Sequence, residues 1–258
     1  MIIEGEQLNF KNPVDIKEIN TALPRVLNEL RSDIGSKPKA FFGKFDSSLG
    51  SSDLLALVDR RFVGACFMVV SNVLINRKVM EFDKTDPICL DDIRIIVYEL
   101  FRDLLLFVKK EREDGTNYFY SHCLGTTLGG LEMLRLSGKA SVLALNKHDN
   151  EEDGPKIYTG YTQKDLMDPD LYFDRLDGDV DLDELIVLVD TVGRLVRGVT
   201  KIKEVDDPLG RFDAGKFNSV NEATSYEFFK SMGIDLRIGY VKLPDRTHNM
   251  STIFGKSD

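Results

Sequence analysis

Apolar positions along this chain recur mainly three and four residues apart, the spacing that lines one face of a helix. The first such stripe runs through Ile16, Ile19, Leu23, Val26, Leu30 and Ile34, with Leu27 widening it, after an Asn12-Pro13 start. Pro24 lies inside the stripe and removes a backbone donor, which predicts a kink or a break near Leu23. A Ser- and Gly-rich loop at 45–53 then opens a long apolar segment. Its portion "FVGACFMVV" at 62–70 reads as helix or as buried strand, since periodicity alone does not separate the two. The clearest element is "DDIRIIVYELFRDLLLFVKKERE". Asp91 and Asp92 sit in its first turn, Ile93, Ile96, Val97, Leu100, Phe101, Leu104 and Val108 share a face, and Lys109, Lys110 and Arg112 precede Gly115. Ile95, Tyr98, Leu106 and Phe107 cover much of its other side, so this segment is expected to be central, a helical core around residues 91–112.

Further along, "NYFYSHC" and "KASVLALN" read as short strands on either side of a Gly-opened helix, "LGTTLGGLEMLRLSG". "LDELIVLVDTVGRLVRGV" is a strongly one-sided helix, "SVNEATSYEFFKSMG" a shorter capped one, and "IDLRIGYVKLP" alternates as a strand does. The fold class implied is mainly α with a few short β-strands, an α+β arrangement. The chain divides into a helical core region at 1–148, an acidic loop or linker at 149–180, and a smaller helix and strand region at 181–258, unless all three form one continuous domain.

Composition narrows this only a little. With 258 residues, 42% hydrophobic and 30% charged, the chain buries enough surface to fold without disulfide or metal support. Three cysteines, Cys66, Cys89 and Cys123, show no paired spacing and suit a reducing compartment. The opening "MIIEGEQLNF" has acids where a secretory signal carries bases, and no apolar run approaches the roughly 20 residues of a membrane span, so an intracellular protein is expected. A net charge of -9 argues against a general nucleic-acid partner, and the local basic groups are read as helix-end cations.

The least ordinary stretch is "LDGDVDLDEL" at 176–185, where Asp177, Asp179, Asp181 and Asp183 alternate ahead of an apolar helix. Alternate acids suit a hard cation, Ca²⁺ or Mg²⁺, but an EF-hand pattern fails because Glu184 stands where its turn needs Gly. Helix capping and a solvated loop account for the same acids. His122, His148 and His248 stand in separate segments with no HxH, HxxxH or HExxH spacing, and the glycines of "GTTLGG" lack a P-loop's Lys and Ser/Thr.

The absence of a catalytic motif favours a non-enzymatic structural or assembly protein, acting as a homo-oligomer or in a larger particle such as a virus or phage virion. Its interface would use Ile16, Ile19, Leu23, Val26 and Leu30, with Ile253 and Phe254 docking onto a neighbour. Two alternatives stand beside it: a divalent-metal-dependent hydrolase or nuclease built on the acidic cluster at 174–184, and an adaptor or inhibitor that binds one protein through that loop.

Overall fold

A computed structural model describes residues 14–37, 49–79, 89–136, 138–157, 182–201 and 216–254. Their helices are α1 (Ile19–Ser36), α2 (Ser51–Leu57), α3 (Arg60–Val79), α4 (Leu90–Leu106), α5 (Leu124–Leu134), α6 (Lys139–Lys147), α7 (Asn150–Ile157), α8 (Leu182–Val199), α9 (Val220–Ile234) and α10 (Arg237–Phe254). The described residues hold no sheet; Glu111 and Asn117 form an isolated antiparallel bridge. The mainly-α class holds, and the expected short strands are absent among the described residues.

Each segment read as a strand is helical for a physical reason. "KASVLALN" forms α6, where Val142, Leu143, Ala144 and Leu145 are all buried, and an apolar run buried on every side has no period to read. "IDLRIGYVKLP" passes into α10, whose buried positions Ile238, Val241 and Asp245 fall three and four apart. The alternation seen in the sequence, Leu236, Ile238 and Tyr240, mixes one buried residue with two exposed ones and marks no single face. "NYFYSHC" becomes a π-helical turn, Phe119–Cys123, that leads directly into α5. Residues 62–70 resolve to helix within α3.

At the N-terminal end the helical course starts later than expected. Asp15 caps a 3-10 turn at Ile16–Glu18, accepting from the Lys17 amide, while the Glu18 carboxylate accepts from the Asp15 amide at 2.9 Å. Helix α1 then runs through Pro24 without a break. Its stripe is covered by the chain's own helices: Ile19, Leu23, Val26 and Leu30 are buried against α2, α3 and α4, and Ile16 is partly buried against the same core. Ile253 and Phe254 close α10, and their side chains lie outside the described ones.

All of α4 is buried, charged residues included. It is enclosed by α1, α3, α6 and α7. Asp91 pairs with Arg94, which also reaches Glu29 of α1 at 2.9 Å; Asp92 takes Lys139 of α6 at 2.6 Å; the Tyr98 hydroxyl donates to Asp33 at 2.5 Å. Lys147, at the end of α6, is 1% exposed and held by Glu99 at 2.7 Å and Asp103 at 2.8 Å. Glu99 also pairs with Arg102, and Asp103 accepts from Asn146 and, at 2.6 Å, from Asn150.

Helix α4 stops at Leu106, so Lys109, Lys110 and Arg112 lie beyond it. Lys110 and Arg112 belong to a tight hairpin in which the Arg112 amide bonds to Thr116 O at 2.8 Å and the Tyr118 amide to Lys110 O at 2.9 Å. Gly115 turns this hairpin at φ +78°, where a side chain would be strained.

Helix α8 lies against α6 and α10, so Leu185, Val192, Leu195 and Val196 share one core with residues of the 1–148 region. Most of the acidic 149–180 segment lies outside the described residues, apart from its start in α7.

Removing Lys147 strands two carboxylates in the core. Lys147→Met is expected to cost about 3–5 kcal/mol in urea unfolding. A loss below about 1 kcal/mol would show that the other partners of Glu99 and Asp103 suffice.

Candidate functional site

Three separate pieces of chain meet at one end of the core. The π-helical turn supplies His122, and the turn between α6 and α7 supplies the adjacent pair His148 and Asp149. Helix α10 supplies Asp245 and His248, three apart and therefore on one face. π-Helical turns cost hydrogen-bond quality and recur at functional sites. Here the turn lets the Tyr118 and His122 rings stand 5.1 Å apart on the same wall.

The donor atoms converge. His122 Nε2 lies 3.1 Å from His148 Nε2, 2.9 Å from Asp149 Oδ2 and 3.7 Å from Asp245 Oδ1. His148 Nε2 lies 3.2 Å from Asp149 Oδ2 and 3.5 Å from Asp245 Oδ1. One donor from each of His122, His148 and Asp149 falls within 4.8 Å of the others, the one such group among the described residues, and Asp245 lies outside it. For metal-ligand bonds of about 2.1 Å, neighbouring donors stand about 3.0 Å apart in an octahedron and about 3.4 Å apart in a tetrahedron. The measured edges fall around these values.

Surrounding groups fix how each donor is presented. His148 Nδ1 lies 2.7 Å from Leu145 O, so Nδ1 carries a proton and the Nε2 lone pair is the one turned to the centre. Asp149 Oδ2 accepts the Tyr118 hydroxyl at 2.6 Å; Asp245 accepts Asn249 at 2.7 Å and pairs with Lys242 at 2.9 Å. His122 Nδ1 meets His248 Nδ1 at 3.2 Å.

Charge and burial oppose each other at this site. Burial disfavours the His148 cation, but Asp149 and Asp245 outweigh it and hold the group up at about 10. Burial would raise Asp149, yet His148 and His122 hold it well below the ordinary carboxylate range; His148 and Lys242 do the same for Asp245. His248 is held below its ordinary value by burial, His122 and Arg112, which keeps its ring neutral. Without a metal, the proton on His148 offsets part of the charge of the two acids, and a divalent ion bound there would displace that proton.

The centre opens into a cleft of about 280 Å³ whose lining includes Lys110, Arg112, Lys201, Lys242 and Arg246 beside Tyr118, Glu152 and Asp153. Lys110 sits 3.5 Å over the Tyr118 ring and pairs with Asp153 at 2.5 Å. Lys110, Arg112 and Lys201, which the sequence assigns to helix ends, are here cations facing a polar cleft. The Cys123 thiol, buried and close to Asp149, is pushed well above its ordinary value and stays protonated, which disfavours it as a nucleophile.

Sequence reasoning kept the histidines apart, and the fold corrects this: all three meet. Their separations along the chain exceed any local spacing rule, and the available signal was the contiguous His148-Asp149 pair at the end of a buried helix. Of the acids proposed as a cation cluster, Asp177, Asp179 and Asp181 lie outside the described residues, and Asp183 is an exposed residue in the first turn of α8. Comparison with protein-family models, with curated proteins and with solved structures finds no match. No described helix is long and apolar enough to cross a membrane.

In metal-free protein, His148 contributes stability that is complete below its unfolded value of 6.5 and is lost as pH rises through about 10. With chelator present, the unfolding free-energy gap between wild type and His148→Gln is therefore expected to narrow steadily across that window and to close above it. A gap independent of pH would remove the ion pair as its cause.

Proposed function

We propose that the protein is a divalent-metal-dependent hydrolase of small phosphorylated compounds, with His122, His148 and Asp149 as metal ligands and Asp245 beside them. The observation that carries this reading is the convergence of two imidazole nitrogens and the Asp149 carboxylate on one point, with Asp245 beside them, at the edge of a polar cleft rich in both cations and acids. A bound ion would supply a water of lowered pKa and polarise a phosphoryl oxygen. Three ligands from the chain would leave positions for both. Hydrolysis adds water across a P–O bond: its oxygen ends on phosphorus and a proton ends on the departing oxygen.

The exposed cations Lys201 and Arg246 suit the phosphate, with Arg112 on the same wall. A cleft of about 280 Å³ suits a compact substrate, and a net charge of -9 disfavours a polynucleotide. The mixed imidazole and carboxylate set favours Mn²⁺, Fe²⁺ or Zn²⁺ over the Ca²⁺ or Mg²⁺ suggested by the acidic loop.

A second reading, assembly as a homo-oligomer or within a larger particle, draws on a different face. Leu236, just before α10, and Tyr240, Leu243 and Met250 within it, spaced four, three and seven apart, are 65%, 45%, 49% and 57% exposed. If this stripe joins two copies, light scattering gives a dimer that Leu243→Glu converts to monomer; an unchanged mass for both proteins removes it.

For the enzymatic reading, phosphatase activity against a panel of phosphomonoesters is expected to vanish with chelator and return with Mn²⁺. Asp149→Asn is expected to lower kcat/KM by about 100-fold or more, and the pair Asp177→Asn with Asp179→Asn to leave it unchanged. Calorimetry that finds no Mn²⁺ binding to the wild type would overturn the reading.

A further inference from the structure

We propose that His248 is a positioning residue of this centre: its Nδ1 accepts the His122 Nδ1 proton and so turns the His122 Nε2 lone pair toward the ion. The inference rests on the metal-centre reading above. Two ring nitrogens 3.2 Å apart form a hydrogen bond only when one is protonated and the other is not. His122 ligates through Nε2, which faces His148, Asp149 and Asp245, so in the neutral ring its proton sits on Nδ1. His248 Nδ1 must then be the acceptor. His148 reaches the same tautomer through a carbonyl, Leu145 O. His122 has a side chain from another helix in that place, and its orientation depends on how α10 lies against α5.

Gly125 makes the arrangement possible. It stands in the first turn of α5, and a Cβ there would meet His248 Nε2 at 2.5 Å and Cδ2 at 2.8 Å. The imidazole occupies the space a side chain would take, and any other residue at 125 pushes it away from His122. Helices α5 and α10 pack closely along their length, and Gly130 makes a second near approach where Pro244 and Leu145 would crowd a Cβ. Displacing His248 alone is therefore a small, local change.

Mn²⁺ affinity of the full chain, measured by calorimetry, tests this together with the visible spectrum of the Co²⁺ form. Wild type is expected to bind one ion at the centre, and His248→Ala to bind it about 10- to 100-fold more weakly. His248→Asn places an amide oxygen near the lost acceptor and is expected to recover most of that affinity. Gly125→Ala changes neither ligand nor acceptor, yet is expected to weaken Mn²⁺ binding, with an altered Co²⁺ spectrum, and to add nothing when combined with His248→Ala. Wild-type affinity in His248→Ala, no recovery in His248→Asn, or additive losses in the double variant would each overturn the role of His248 while leaving the metal centre standing. A wild type that binds no Mn²⁺ would overturn both.

Discussion

A lysine ammonium with 1% of its side chain exposed is tolerable only where carboxylates and hydrogen bonds replace its water, and Lys147 meets that condition through Glu99 and Asp103. The constraint is geometric as well as energetic. Both acids sit one turn apart on α4, so Lys147 can satisfy them only with α6 in one register against that helix. Asn146 and Asn150 bind Asp103 from either side of Lys147, which pins the whole turn at residues 146–150. Burial raises the Asp103 carboxyl above its ordinary range, with Lys147 opposing the effect and Glu99 adding to it; the Lys147 charge and the Asn150 amide work against the enclosure.

The two residues that follow Lys147 are the contiguous donors of the candidate centre. His148 and Asp149 leave the buried network with no slack between them and it, so their positions inherit the rigidity of α4. The remaining donors come from elements packed on the same helices: the π-helical turn rests on α4 and α6, and α10 on α5 and α6. A metal site needs its ligands placed to within a few tenths of an ångström. Here that accuracy is supplied by a core whose ionic contacts have few alternative pairings.

How much of this could be read from the chain follows the same division. The central helix was legible because its apolar faces, its acidic start and its length agree. The seam of α1 was legible as a stripe, but periodicity says only that a face is covered, not whether a neighbour or the chain itself covers it. Helix α6 was misread because a segment buried all round loses its period, and nothing in the sequence marks Lys147, just after that segment, as a buried cation. The centre was illegible as a set. His122 and Asp245 lie far from His148 in sequence, and only the docking of α10 brings them together. The acidic run that dominates the sequence owes its prominence to local density, whereas ligation depends on convergence in space.

Cation preference follows from the same geometry. An oxygen-only loop adapts its coordination number to large ions, but two imidazoles fixed by backbone and side-chain partners present nitrogen lone pairs in set directions. Ca²⁺, which asks for six to eight oxygens at about 2.3–2.6 Å, gains little from such a pair. Smaller ions with affinity for imidazole match both the donor type and the 2.9–3.7 Å edges. An ion held by His122, His148 and Asp149 would lie at the cleft, whose lining includes the exposed cations Lys201 and Arg246. Metal and cations would then act on the same phosphoryl group from two directions, which lets a single ion suffice for the charge that develops on it.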